Sequence, residues 1–172
     1  VGKWKAALAI LLSFLLAACG SNNAPATPPP PITLTAPPDI QIGGLCDDTK
    51  TLEGWLEVTA PLTNRFQTEM NAAVAKSKAD LFLDVISLAA IRDSVFATTT
   101  PDCALDAQLM LSDTMHQVVG ALQAYFNGDR PDLGNVITEA NAKLDEVISI
   151  QADLLNRMNA QFQQQRLITP TA

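Results

Sequence analysis

The sequence predicts an all-α fold: an antiparallel helical bundle of three or four helical segments after a disordered proline-rich tether. Three observations carry this. From about residue 50 to Phe162 apolar residues recur with a helical period. No stretch shows the strict alternation of a half-buried strand. The helical stretches are separated by Thr98-Thr99-Thr100-Pro101 and Asn127-Gly128, both of which oppose helix continuation.

The first element is a leader. Lys3 and Lys5 precede an apolar run from Ala6 to Leu16, and Leu16-Ala17-Ala18-Cys19-Gly20 follows. A charged start, a short greasy core and small residues have the order of an export signal. The run is shorter than the roughly 20 residues that a mature spanning helix needs. These residues resemble the lipobox of a bacterial lipoprotein signal peptide. The resemblance implies cleavage before Cys19, lipidation of its thiol by diacylglycerol, and an exported chain facing the periplasm or the cell exterior from the cell membrane or outer membrane. Two acyl chains supply an anchorage that one cannot, so the lipid bilayer is the first expected partner, through acylated Cys19. An ordinary secretory signal with a chance cysteine, or an uncleaved anchor, is the alternative.

The expected organisation is a signal peptide over 1–18, a lipidated start and Pro/Thr-rich tether over 19–45, a bundle over 46–168 and a frayed end over 169–172. In the tether, Pro25, Pro28, Pro29, Pro30, Pro31, Pro37 and Pro38 favour extended polyproline II. Its reach is on the order of 75 Å. Ile32, Leu34, Ile40 and Ile42 offer a second possibility, that part of this segment lies against the domain. Gly43-Gly44 ends it, and Asp47 or Asp48 can cap the helix that follows.

Along the first helical stretch the stripe is Leu52, Trp55, Leu62, Phe66, Met70, Val74, Ser77, Leu81, Val85, Leu88, Ile91 and Val95. Pro61 is expected to start a new helix or kink this one. Unbroken phase argues for one long helix over 62–97, whereas Ser77 and Asp80 permit a turn near Lys76 to Asp80. A disulfide between Cys46 and Cys103 favours the turn, since bonded Cα atoms lie within about 7 Å; the alternative is that the segment from Cys46 to Ala60 folds back along one long helix. Asp102 is the expected cap of the next helix, with stripe Leu105, Leu109, Met115, Val119, Leu122 and Phe126. Asp129 is the expected cap of the last, with Pro131 and Asp132 in its first turn and stripe Leu133, Ile137, Ala140, Leu144, Ile148, Leu155, Met158 and Phe162. Facing stripes satisfy one another in a bundle.

Composition bounds the partners. The 172 residues carry a formal charge of -7, and loss of Lys3 and Lys5 with the leader makes the remainder more acidic. Such a surface repels phosphate backbones, so nucleic acid is not an expected partner. With Cys19 lipidated, Cys46 and Cys103 remain. In an oxidising compartment they suit a structural disulfide worth at most about 4 kcal/mol; free thiols or an intermolecular bond are the alternatives. Pro101, Cys103, Ala104 and Ala107 form a Pro-x-Cys-Ala-x-x-Ala pattern that resembles small helical exported lipoproteins of no assigned biochemistry. This resemblance covers about residues 50 to 165 and carries no catalytic position across.

No residue set points to catalysis, and no metal or cofactor is expected. His116 is the single histidine; Asp113 on its side gives a pair without an evident nucleophile or oxyanion donor. Met70, Met110, Met115 and Met158 have the spacing of core filling rather than of a soft-metal site. Trp55 and Tyr125 are candidate interface residues, weighed against packing near a bundle end. Gln161, Gln163, Gln164 and Gln165 around Phe162 continue the last helix as a solvated turn or a partner-binding extension. The expected function is therefore a membrane-anchored, non-enzymatic envelope lipoprotein that binds another envelope protein or supports a surface assembly. The alternative is a small-ligand carrier or sensor with an interhelical cavity.

Overall fold

The computed structural model describes residues 30–44 and 49–168, with side chains to residue 164. The expected signal peptide, Cys19, Cys46, the Asp47 and Asp48 caps and the frayed end over 169–172 lie outside the described residues. The chain divides between Pro30 and Pro31. The second unit holds four helices: α1 (Thr49–Ala73), α2 (Phe82–Phe96), α3 (Leu105–Asn127) and α4 (Leu133–Ile168). Each packs on its sequence neighbours and α1 packs on α4, which closes a ring.

Side-chain pairs show that neighbours run antiparallel. Between α1 and α4, Gln151 bonds Thr59 while Asn141 bonds Asn71, so one number rises as the other falls. Between α1 and α2, Ser87 donates to Glu69 while Lys76, just past α1, pairs with Asp84. Phe82 and Phe126 join the start of α2 to the end of α3. Gln108, near the start of α3, reaches the Val95 carbonyl at the end of α2.

Helix α1 buries Leu52, Trp55, Leu56, Thr59, Thr63, Phe66, Met70 and Ala73, one stripe at the three- and four-residue spacing of a helix. Pro61 neither begins nor ends it: the helix continues through this residue, whose ring sits on the exposed side. The lost backbone donor costs the helix one bond, and the packed stripe on the opposite side holds the turns together.

The long segment folds as two helices. Backbone bonds from Lys76 to Ala73 and from Asp80 to Ser77 turn the chain, Ser77 is extended, and its hydroxyl donates to Asp80 at 2.6 Å. Lys76 then pairs with Asp84 at 2.7 Å across the turn. Val74 and Ser77, placed on the stripe by sequence period, are accordingly exposed.

Helix α3 stops at Gly128, whose φ of 112° lets the amides of Gly128 and Asp129 both return to the Ala124 carbonyl. The caps differ from expectation in position. Asp132, not Asp129, accepts from the Asn135 amide at 3.1 Å and opens α4. Asp102 lies in a short 3-10 turn, Asp102–Ala104, and no side chain caps α3.

The core has two apolar layers. The larger centres on Phe66, Met70, Val85, Leu88, Leu111, Met115, Val119, Leu122 and Leu144. The smaller joins Leu52, Trp55, Leu56, Ala104, Ala107, Leu154 and Met158 at the other end. Between them lie Thr59, Thr63, Gln108, Ser112 and Gln151, all buried. Trp55 Nε1 donates to Gln108 Oε1 at 2.9 Å, and Gln108 Nε2 donates to the Val95 carbonyl at 2.8 Å. These bonds offset the cost of burying the polar atoms.

Candidate functional site

The ring places two of its interhelical grooves on opposite sides of the bundle, α2/α3 and α1/α4. The first is filled by the chain itself. Residues 31–44 do not extend free as tether: the folded unit begins at Pro31, and Ile32, only 4% exposed, enters the larger core layer with Leu34 packed beside it. Asn127 Oδ1 accepts from the Ile32 amide at 2.9 Å, and Asn127 Nδ2 and Gln123 Nε2 each donate to its carbonyl at 3.0 Å. Arg92, buried and paired with Asp93, donates to the Thr35 carbonyl at 3.2 Å. Side-chain amides and a guanidinium thus supply what a neighbouring strand would supply to an extended backbone.

The strap ends in a single parallel bridge. Thr100 donates to the Gln41 carbonyl at 2.8 Å and accepts from the Gly43 amide at 3.0 Å. Gly44 has a φ of 93°, and a Cβ there would meet Thr51 Cγ2 at 2.7 Å, so glycine is required. Ile42 is 60% exposed and serves the bridge, not the core.

The opposite groove is open. It has a volume of about 430 Å³ and runs between residues 53–64 of α1 and 148–158 of α4. Its apolar walls are Leu56, Ala60, Ile148, Ala152, Leu155 and Met158, and its carboxylates are Glu53 and Glu57. No lining residue is cationic, and neither carboxylate has an ion pair among the described residues. Its two side-chain amides are turned to atoms of α1: Asn64 Nδ2 to the Ala60 carbonyl at 2.9 Å, and Gln151 Nε2 to Thr59 Oγ1 at 3.1 Å.

The wall on α4 corrects the expected stripe. From Leu144 onward the core takes Val147, Gln151, Leu154 and Met158, whereas Leu155 and Phe162 are 44% and 39% exposed. Ile148, Leu155 and Phe162, seven residues apart, form a second line beside the core line. Gln151 in the true core line hid this: counting only apolar residues moves the apparent stripe onto its neighbour.

The other sequence-predicted positions are dispersed. Trp55 is 1% exposed and belongs to the core, so it offers no interface surface; its indole N–H is consumed by Gln108. Tyr125 is half-buried against the larger layer. Cys103 is exposed and disulfide-bonded. Its partner lies outside the described residues, and the Gly44 carbonyl accepts from the adjacent Asp102 amide at 3.3 Å. His116 is exposed beside the strap, in a shallow pocket of about 270 Å³ with Pro37, Ile40, Phe96, Leu109 and Asp113. Asp113 Oδ2 accepts from Gln117 at 2.7 Å instead of holding the imidazole.

Between α1 and α2, partial burial of Glu69 opposes its ionisation. The Ser87 hydroxyl and Arg65 guanidinium outweigh that and hold its carboxyl below the ordinary value. Among the described residues no group of three or more His, Cys, Asp or Glu side chains is arranged to hold a metal, and no helix is long and apolar enough to cross a membrane. The chain matches no protein-family model, no curated protein and no solved structure.

Proposed function

We propose that this protein is an exported, non-enzymatic lipoprotein, anchored to the envelope through acylated Cys19, that binds another envelope protein in its α1/α4 groove. The observation that carries this is the open apolar groove, with Leu155 44% exposed on a bundle whose opposite groove is filled. A second apolar line costs solubility unless something covers it. The lipobox-like start supplies the anchor, and the part of the proline-rich stretch ahead of residue 31 supplies the reach.

Photocrosslinking in intact cells tests the reading. A crosslinker at Ala152, in the groove, is expected to yield one discrete adduct, and a crosslinker at Asp39, on the strap side, none. Equal or absent adducts from the two positions contradict it. Mass spectrometry of the native amino terminus tests the anchor, with a modified Cys19 expected and a retained leader contradicting.

A small-ligand carrier is the second reading, favoured by the groove volume, which falls in the range of ligand sites. Against it, the groove has only two helical walls, so a small ligand keeps one face in water. Within the bundle Leu111, Met115 and Leu144 are fully buried in the larger core layer. A defined apolar molecule copurifying at one per chain would favour the carrier.

A further inference from the structure

We infer that the occupant of the α1/α4 groove is an amphipathic α-helix with basic residues flanking its apolar face. This rests on the docking reading above and adds the partner's chemistry. The two opposite grooves differ in what they offer a backbone. The strap side presents Asn127, Gln123 and Arg92, which satisfy the carbonyls and an amide of an extended chain. In the open groove Gln151 turns its amide hydrogens to Thr59 and Thr63, Asn64 at one end keeps one N–H beyond its bond to the Ala60 carbonyl, and the remaining polar groups are Glu53 and Glu57, which when ionised only accept. An extended segment laid there would find a donor only at Asn64, at one end, and would leave its other carbonyls without donors on the buried side. A helix satisfies its own backbone and brings only side chains to the contact.

Length and charge agree. The lining from Glu53 to Asn64 on α1 spans about 16 Å, three helical turns. Leu56, Ala60, Ile148, Leu155 and Met158 form a trough between two antiparallel helices, into which the ridge of a third can pack. Glu53 and Glu57 lie one turn apart on the rim and have no ion pair among the described residues, in a chain of net charge -7. Lys or Arg beside the apolar face supplies the opposite charge, and an acidic helix is repelled.

The test uses the full chain in phosphatidylcholine nanodiscs, with empty nanodiscs as reference. Three labelled peptides of equal length serve as probes: one with Leu at i, i+3, i+4 and i+7 and Lys flanks, one with the same Leu positions and Glu flanks, and one of scrambled Lys-flanked composition. Fluorescence anisotropy is expected to show the ordered Lys peptide binding at least about tenfold more tightly than the other two. Glu53→Gln with Glu57→Gln is expected to weaken it about three- to tenfold, as two rim charge pairs should. Asp39→Asn with Asp129→Asn removes the same net charge elsewhere and is expected to leave binding unchanged.

If Lys and Glu peptides bind alike, or both charge-removing pairs weaken binding equally, the basic-helix inference is overturned. The docking reading survives that result provided Ile148→Ser with Leu155→Ser still abolishes binding. Equal binding by the scrambled peptide overturns the helical assignment. If the two serine substitutions leave binding unchanged, the docking reading falls as well. Sedimentation covers the remaining occupant: a peptide-free dimer that these serine substitutions dissociate would assign the groove to a second copy and overturn the inference.

Discussion

The α2/α3 and α1/α4 grooves are made from the same materials and have opposite fates. One is closed by residues 31–44, with Ile32 inserted and its backbone held by Asn127, Gln123 and Arg92. The other is left with an apolar wall and two carboxylates facing water. Two helices in contact always leave a trough; the side chains at its rim decide what can lie in it. Amide and guanidinium groups suit a chain with unmet backbone bonds. Carboxylates and bare aliphatics suit an element that arrives with its backbone already satisfied.

The sharpest break of this comparison lies in two adjacent leucines. Leu154→Ala removes a buried wall of the smaller core layer and is expected to cost about 2–5 kcal/mol. Leu155→Ala one residue later is expected to cost under about 1 kcal/mol, since nearly half of the residue is already in water. Chemical denaturation of both variants measures the difference, and equal losses would mean that the open groove is covered by its own chain.

Next in size is the polar layer beneath both grooves. Gln108→Ala leaves the Trp55 indole N–H and the Val95 carbonyl buried without this partner, an expected loss of about 2–4 kcal/mol with raised exchange at the end of α2 and the start of α3. A loss under about 1 kcal/mol would mean that water reaches the layer. On the strap side, Asn127→Ala removes two bonds to Ile32 and is expected to cost about 1–2 kcal/mol. Hydrogen exchange should then rise over residues 31–36 while α1 and α4 keep their protection.

The smallest effect concerns acid. The folded Glu69 carboxyl ionises at lower pH than the unfolded one, so its stabilisation is present above the ordinary carboxylate range and fades as pH falls through the lowered value. Glu69→Gln is expected to cost under about 1 kcal/mol at neutral pH and to flatten that part of the acid dependence, because the Arg65 partner is well exposed. An unchanged acid profile would contradict the assignment.

Much of the fold was legible because its signals are local. Asn127-Gly128 and the Thr98-to-Pro101 run act within a few residues and end helices where turn chemistry places them, and Ser77 with Asp80 makes the turn that the sequence permits; helical period finds the helices but sets Val74, Ser77, Leu109 and Leu155 on core stripes although they are exposed. The groove was not legible. Its wall, Ile148 and Leu155, falls on the apolar stripe of the sequence because Gln151 occupies a true core position, and only contact with Thr59 of a distant helix makes a glutamine acceptable there. Trp55 is ambiguous in sequence between interface and packing for the same reason: its partner Gln108 lies 53 residues away. The strap stood as an open alternative, since Ile32 permits packing while the amides that hold it belong to α3.

Carbene footprinting of the chain, purified and in its native envelope, tests the central claim most directly. Ile148 and Leu155 are expected to label heavily in the purified chain and to be protected in the envelope, with Ile32 shielded in both. Equal labelling of Leu155 in the two states would contradict the claim that this groove is where the protein meets its partner.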